Sequence, residues 1–126
     1  MVTRGFKQMM AEANAAVETL SVQDAVELAD HPQTLFVDVR EAQERQQSGG
    51  VKGSIHASRG FLEFIADPES PMHNPEFMSG KKLVVYCASG GRSALAAKTL
   101  QDMGFEHVAN LAGGFGAWQE ASGPTE

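Results

Sequence analysis

The stretch that decides the fold is KKLVVYCASGGRSALAAKTL, residues 81–100. It opens with a short apolar run containing β-branched residues, which is typical of a buried strand in a parallel sheet. It closes with the apolar spacing of a helix over residues 93–103, with Gly104 as the expected C-cap. Between them, Cys87, the single cysteine of the chain, is followed at once by a glycine turn. The stretch therefore predicts a strand, a tight turn that begins with a thiol, and a helix.

The rest of the chain continues this alternation of strands and helices. A second continuous apolar run at residues 35–39 predicts another interior strand. The other predicted elements are helices at 5–17, 22–29, 41–47 and 114–121 and strands near 17–20, 54–57 and 107–111. Residues 63–80 are rich in proline and predict a long loop with two short helical turns. The alternation predicts an α/β domain with a mostly parallel sheet.

Length and composition indicate one globular domain. The chain has 126 residues, of which 42% are hydrophobic and 21% charged, which excludes the class of disordered proteins. A net charge of -6 disfavours nucleic acid and anionic membranes as partners, so an anionic substrate needs a local positive field. No apolar run approaches the length of a membrane helix, no secretory signal is recognisable, and one cysteine cannot close an internal disulfide. We therefore expect a cytoplasmic protein.

The turn after Cys87 is typical of an anion-binding loop. In an open parallel sheet, ligands bind beyond the carboxyl ends of the strands, where loops enter helix N-termini. Glycines allow successive backbone N–H groups to point inward, and such a field lowers the pKa of a thiol from about 8.5. A guanidinium at the end of the turn adds a positive charge that can hold a sulfonate or phosphate. We predict Cys87 as a nucleophile, cradled by Ala88, Ser89, Gly90, Gly91 and Arg92.

A cysteine that only fills space is the alternative, because free cysteines are often buried. Such a residue has no need of a Cys-x4-Arg turn with two glycines between a strand and a helix. Rapid alkylation of Cys87 at pH 6 would exclude this alternative.

CASGGRS, residues 87–93, resembles the active-site loop of the rhodanese family of sulfurtransferases. The family's other landmarks have counterparts in FVDVRE (36–41), GSIHAS (53–58), KLVVYC (82–87) and LAGGFGAW (111–118). The N-terminal helix and residues 59–80 look like those of bacterial single-domain members. One departure is Ala57-Ser58, where the family often has Ile-Pro, and this concerns packing more than chemistry.

The resemblance implies a fold and an organisation of the chain. The fold is a central, mostly parallel five-stranded sheet with helices on both faces. Residues 1–16 are expected to form a helical extension, residues 17–122 the single rhodanese-like domain, and residues 123–126 a short tail.

The resemblance also implies the chemistry. The Cys87 thiolate takes the outer sulfur of thiosulfate or a similar donor, sulfite leaves, and the protein holds a persulfide. An acceptor, cyanide in the assay and a thiol or protein in the cell, then removes the terminal sulfur. No cofactor is implied, and no pair of histidines has metal-ligand spacing, so no metal is expected.

Two other functions remain open at this point. The domain is alternatively a relay that accepts persulfide from an upstream protein and has little activity on thiosulfate. Phosphatases of the cell-division-cycle type and some arsenate reductases resemble the family in fold but use Cys-x5-Arg. The spacing from Cys87 to Arg92 is Cys-x4-Arg, and the shorter loop suits a single sulfur atom better than a phosphoryl group.

Three charged residues are further candidates for the surroundings of the site. Asp38 and Arg40 follow the first core strand, where they either polarise the site or form a structural ion pair that braces the loop. Arg59 either recruits an anion at the pocket mouth or is a solvated loop residue. Residues 113–116 are interpreted as a turn before the last helix, and Trp118 as part of the core.

Overall fold

The computed structural model describes all residues, 1–126, and contains a five-stranded parallel sheet in the order β1-β5-β4-β2-β3. The strands are β1 (Glu18–Leu20), β2 (Thr34–Asp38), β3 (Ile55–His56), β4 (Lys82–Tyr86) and β5 (Val108–Leu111). Every neighbouring pair is parallel, so the predicted α/β fold is confirmed and the sheet is more regular than expected. Parallel neighbours need crossover connections, which the intervening helices provide.

The helices cover both faces of this sheet. They are α1 (Phe6–Ala16), α2 (Val22–Glu27), α3 (Ala42–Ser48), α4 (Leu62–Ala66), α5 (Gly91–Met103) and α6 (Gly114–Glu120), with 3₁₀ turns at Arg59–Phe61 and Pro75–Met78. Helix α2 begins at a Ser21 cap, whose hydroxyl accepts a hydrogen bond from the Asp24 N–H. Helix α5 begins two residues before its predicted start, because Gly90, with a φ of 111°, turns the chain directly into the helix.

Side chains along β2 and β4 alternate between two hydrophobic cores, one on each face. The core under α4 and α5 includes Leu35, Val37, Leu83, Val85 and Cys87. The core under α2 and α6 includes Phe36, Val84, Tyr86, Phe115 and Trp118. Burial of each large aliphatic side chain stabilises the fold by about 1.5–3 kcal/mol, which makes these two strands its centre. The prediction that Trp118 lies in the core is confirmed.

The two short helical turns predicted in the proline-rich segment are confirmed, as α4 and as the 3₁₀ turn at Pro75–Met78, and the segment is more ordered than a loop. Leu62 and Ala66 of α4 are fully buried, and Phe77 packs edge-to-face with Phe105. Asn74 caps the second 3₁₀ turn by accepting a hydrogen bond from the Glu76 N–H. These buried apolar side chains hold the segment against α5. Apolar periodicity could not indicate this packing, because each helical piece is too short to show a repeat.

Both chain ends pack against the sheet domain. Helix α1 lies against α5, with Ala13 fully buried, although Phe6 at its start is exposed. Residues 123–126, predicted as a tail, form an antiparallel bridge between Thr125 and Val51, and the Trp118 indole donates a hydrogen bond to the Pro124 carbonyl. None of the helices is long and apolar enough to cross a lipid bilayer.

Candidate active site

Cys87 directly follows β4, the central strand, which lies between β5 and β2. Hydrogen bonds from the start of α6 fix the backbone of this part of the loop. The Phe115 N–H donates to the Cys87 carbonyl at 2.8 Å, and the Gly116 N–H donates to the Ala88 carbonyl at 3.1 Å. Gly114 allows this approach, because a Cβ there would lie 2.5 Å from the Cys87 carbonyl oxygen. The glycine pair predicted only as a turn therefore supports the loop that carries the thiol.

The Cys87 sulfur sits inside a ring of hydrogen-bond donors. The Gly90 N–H donates to Sγ at 3.1 Å, and the Ser93 hydroxyl lies 3.4 Å from it. Burial raises the pKa of the Cys87 thiol, but the Ser93 hydroxyl and the N–H groups of Ser93, Gly90 and Ser89 outweigh it and lower the pKa below its usual value. The arrangement favours a thiolate, which is the nucleophilic form of cysteine.

A second layer of hydrogen bonds holds these donors in place. The Ser93 hydroxyl donates to Asn110 Oδ1 at 2.6 Å, and Asn110 Nδ2 donates to the Gly90 carbonyl at 3.2 Å. Asn110 belongs to β5 and is almost fully buried. Asn110 therefore links β5 to Gly90 and to Ser93, which both donate hydrogen bonds to the thiol. Sequence reasoning missed Ser93 and Asn110, although a polar side chain inside an apolar strand was a usable signal.

Access to the sulfur is narrow. Cys87 is only 1% exposed, whereas the next two residues, Ala88 and Ser89, are exposed. The sulfur therefore lies at the bottom of the loop, and a substrate reaches it by passing residues 88–92. Such burial suits a small substrate group such as a terminal sulfur better than a bulky one.

Arg92 pairs with a residue that sequence reasoning did not single out. Its Nη1 and Nη2 donate to the two carboxylate oxygens of Glu44 in α3, at 2.6 and 2.9 Å. The hydrogen bonds and charge of Arg92 lower the pKa of Glu44 to about 2, and Glu44 in turn raises the pKa of Arg92. The residues are 48 positions apart, so no local pattern indicated the pair. The guanidinium predicted to hold an external anion is engaged by an internal one.

Asp38 and Arg40 form a buried ion pair beside the loop. Arg40 donates from Nε and Nη2 to the Asp38 carboxylate at 3.0 and 2.7 Å, and the two residues are 2% and 0% exposed. The Arg40 backbone N–H at 3.0 Å and Arg45 of α3 at 2.9 Å bring the donors to Asp38 to four. Burial raises the pKa of Asp38, and the Arg40 and Arg45 hydrogen bonds overcome this and lower it. These contacts match the structural interpretation, in which the pair braces the chain after β2.

Arg59 points away from the thiol loop. Its guanidinium donates to Glu63 at 3.1 Å and to the Thr99 hydroxyl at 3.2 Å. Thr99 lies six residues after Ser93 along α5, a distance of about 9 Å at 1.5 Å per residue. The structure therefore brings together Cys87, the loop and Arg92, but not Arg59.

Two cavities border these elements. A cleft of about 250 Å³ opens beside the loop and is lined by Arg40, Glu44, Gln47, Ala88, Phe115 and Gln119 among others. A larger cavity of about 570 Å³ lies near Met103, at the end of α5 farthest from Cys87, and does not contact the loop. Of the two, only the cleft borders the loop, at Ala88. No group of three or more histidine, cysteine or acidic side chains is arranged to hold a metal ion.

Fold and loop together define a class of α/β domains that carry a cysteine loop at the carboxyl end of the central parallel strand. Residues 21–121 match the family model of the rhodanese-like domain. The chain belongs to the rhodanese family, as the resemblance at residues 87–93 predicted.

Three proteins are similar to this chain over most of its length. Thiosulfate sulfurtransferase 16 (chloroplastic) of Arabidopsis thaliana is 32% identical over 123 residues, which are 93% of this chain and 99% of that protein. A Rhodopseudomonas palustris protein of unknown function, a possible tyrosine phosphatase, is 49% identical with a TM-score of 0.94, over 100% of this chain and 97% of that one. The polysulfide-sulfur transferase homodimer of Wolinella succinogenes is 33% identical with a TM-score of 0.71, over 96% and 86% of the two chains.

The chain does not span every relative to the same extent. It covers 53% and 57% of the lengths of two other curated relatives, about half of each.

Proposed function

We propose that the protein is a sulfurtransferase that carries a sulfane sulfur as a persulfide on Cys87, between thiosulfate or a similar donor and a thiophilic acceptor. The observation that carries the proposal is the hydrogen-bonded sulfur of Cys87, which accepts from the Gly90 N–H at 3.1 Å within a Cys-x4-Arg loop. The sulfurtransferase names of two well-covered relatives support it. A reducing compartment such as the cytoplasm suits this chemistry, because the thiol must stay free of disulfides.

In the first half-reaction, the Cys87 thiolate attacks the outer sulfur of thiosulfate. A new bond forms between the two sulfur atoms, the sulfur–sulfur bond of thiosulfate breaks, and sulfite leaves with the electron pair. The protein bears one negative charge before and after, now on the terminal sulfur about 2.05 Å beyond Sγ. No general base is needed, because the donors around Sγ favour the ionised thiol.

In the second half-reaction, the acceptor attacks the terminal sulfur of the persulfide. The bond between Sγ of Cys87 and the terminal sulfur breaks. Sγ keeps the electron pair and is a thiolate again. Cyanide gives thiocyanate, and a thiolate gives a new persulfide. The Gly90 N–H and the Ser93 hydroxyl, which lie at 3.1 and 3.4 Å from Sγ, stabilise this leaving thiolate.

A relay role is a second version of the same chemistry. The relatives include a putative sulfur carrier protein of Bacillus subtilis, 27% identical over 92% of this chain. A pure relay gains sulfur from a protein persulfide but not from thiosulfate. Cys87 is only 1% exposed, so thiosulfate or a protein persulfide can reach it only with a sulfur at the end of the donor group.

The name of the Rhodopseudomonas relative raises phosphatase activity as the competing class. Hydrolysis of a phosphate ester requires the loop to surround three equatorial oxygens and an arginine to neutralise them. The loop here has the shorter Cys-x4-Arg spacing, and Glu44 engages both terminal nitrogens of Arg92. The shorter loop favours sulfur transfer, and the Glu44 pair leaves Arg92 less able to neutralise a phosphoryl group.

The decisive experiment compares wild type with Cys87→Ser in four measurements: thiocyanate formation, intact mass after exposure to thiosulfate or to a cysteine desulfurase, melting temperature and hydrolysis of p-nitrophenyl phosphate. We expect wild type to form thiocyanate from thiosulfate and cyanide, and its intact mass to rise by one sulfur atom after exposure to thiosulfate. Cys87→Ser is expected to lose both signals while keeping its melting temperature, because serine preserves the acceptor for Gly90. Neither protein is expected to hydrolyse p-nitrophenyl phosphate.

Each contrary result has a distinct meaning. Thiocyanate formation by Cys87→Ser at a substantial fraction of the wild-type rate would refute the assignment of the nucleophile. Sulfur gained only from a cysteine desulfurase, with no thiosulfate turnover, would establish the relay. Cys87-dependent hydrolysis of p-nitrophenyl phosphate without sulfur transfer would replace the proposal by phosphatase activity.

A further inference from the structure

Arg92, the cationic residue at the end of the thiol loop, forms an intramolecular ion pair with Glu44. Two parallel hydrogen bonds of 2.6 and 2.9 Å join the guanidinium to the carboxylate. This is the fork-to-fork geometry in which arginine binds a sulfonate or phosphate. A bound anion that used the same edge of Arg92 would have to displace Glu44.

The carboxylate is held in this position by its own helix. Glu44 Oε1 also accepts a hydrogen bond from the Glu41 N–H at 3.0 Å, as one half of a capping box at the start of α3. The Arg92 and Glu44 side chains remain 40% and 34% exposed, so the pair stands at the surface of the site. Glu44 is therefore fixed in place before any ligand arrives, and solvent anions can compete with it.

No other free cation replaces Arg92 at this edge. The cleft beside the loop is lined by Glu44 and Ala88 together with Arg40. Arg40 donates from Nη1 to Ser48 and from Nη2 to Asp38 and Gly49, so its charge is already compensated. With a pKa of about 2, Glu44 stays ionised at any physiological pH. A small dianion that enters this cleft beside Ala88 meets the Glu44 carboxylate.

We propose that Glu44 determines donor specificity at this site by occupying Arg92, so that the loop disfavours small anionic donors such as thiosulfate and favours thiol-borne persulfides. The selection rests on the proposed sulfurtransferase function. A persulfide R–S–SH brings its terminal sulfur to the thiolate without a sulfonate that needs a guanidinium. Thiosulfate carries two negative charges, and its sulfonate competes with Glu44 for Nη1 and Nη2 of Arg92.

Neutralising Glu44 should strengthen thiosulfate binding selectively. Glu44→Gln keeps the size of the side chain and an oxygen that can accept from the Glu41 N–H. Partly exposed ion pairs contribute about 0.2–1 kcal/mol, so release of Arg92 is expected to tighten thiosulfate binding by up to about five-fold. Glu44→Ala, which adds no amide donor near Arg92, should give the same direction of change.

Glu41→Gln is the matched control. It removes the same charge from the same turn of α3 but leaves the Arg92 pair intact. Its thiosulfate KM should equal that of wild type. The rate of sulfur uptake from a probe without a sulfonate, the persulfide of 2-mercaptoethanol, should be unchanged in Glu41→Gln. In the two Glu44 variants it should change much less than uptake from thiosulfate.

Calorimetric binding of thiosulfate to Cys87→Ser proteins separates this inference from the proposed function. Tighter binding to Cys87→Ser/Glu44→Gln and Cys87→Ser/Glu44→Ala than to Cys87→Ser supports the inference, even where wild type shows no turnover and the proposed function fails. Equal, weaker or undetectable binding in the double variants overturns it. An equal gain in Glu41→Gln shows that the effect is not local and overturns it as well. A parallel gain with the persulfide of 2-mercaptoethanol shows that the effect is not selective and also overturns it.

Discussion

Replacement of Ser93 by alanine tests the hydrogen bonds that favour the ionised form of Cys87. The Ser93 hydroxyl lies 3.4 Å from Sγ but donates to Asn110 Oδ1 at 2.6 Å, so the two acceptors share one proton. A hydrogen bond to a charged group contributes about 1.5–3 kcal/mol, and the longer distance places this one at the lower end. Ser93→Ala should therefore raise the pKa of Cys87, and about 1.4 kcal/mol corresponds to a ten-fold lower thiolate fraction.

The assay is the rate of alkylation of Cys87 by iodoacetamide as a function of pH, followed by intact mass. Below the pKa, the variant should react about ten-fold more slowly than wild type, because only the thiolate reacts and its fraction is lower by that factor. Ser89→Ala is the control, since Ser89 contributes its backbone N–H and not its hydroxyl. Its profile should match that of wild type.

Two results would refute the reasoning. An unchanged or lower midpoint in Ser93→Ala would show that the hydroxyl does not stabilise the thiolate. A wild-type midpoint above the ordinary value of about 8.5 would show that burial outweighs all the donors together. Ser93→Ala also leaves Asn110 Oδ1 without its donor, so a loss of about 1–3 kcal/mol in stability is expected and circular dichroism must confirm the fold.

Two further substitutions test how the loop is supported. Gly114→Ala would place a Cβ 2.5 Å from the Cys87 carbonyl oxygen and 2.7 Å from that of Ala88, at a φ of 60°. We expect a loss of about 1–3 kcal/mol in urea unfolding together with slower thiosulfate turnover, and full activity in this variant would contradict the support role. Asp38→Ala would leave the buried Arg40 charge without its carboxylate, so about 3–5 kcal/mol should be lost. Because the folded pKa of Asp38 is lowered, its contribution is complete above the unfolded pKa of about 3.9 and is lost as pH falls through the folded pKa. The difference between wild type and Asp38→Ala should therefore shrink in acid, and a difference that grows in acid would contradict the pairing.

Sequence patterns were most informative about the two central strands and the thiol turn. The runs at residues 35–39 and 82–86 predicted β2 and β4 because a strand buried on both faces needs a continuous apolar sequence. The turn was recognisable because glycines, a cysteine and an arginine lie next to one another in the chain. The start of α5 was misplaced at Ser93 because the left-handed conformation of Gly90 is a property of the folded turn.

The partners of the site residues were not recognisable in the same way. Arg92 was predicted to hold an external anion. The structure shows that it pairs with Glu44, which lies 48 positions away in the chain. Asn110 gave a weak signal as a polar residue in an apolar strand, but its two hydrogen bonds depend on the register of β5 beside β4. Gly114 was interpreted as part of a turn, whereas its closeness to Cys87 results from the docking of α6.

The sequence by itself determined the parallel α/β architecture, the cysteine at the end of its central strand and the donor-rich turn that follows, because these depend on neighbours in the chain. The tertiary structure alone decided how deep the sulfur lies, which hydroxyl shares its proton with it, and which carboxylate engages Arg92. The physical reason is that hydrogen bonds and ion pairs act over about 3–4 Å in space, and only the packing of distant segments brings such groups within that range.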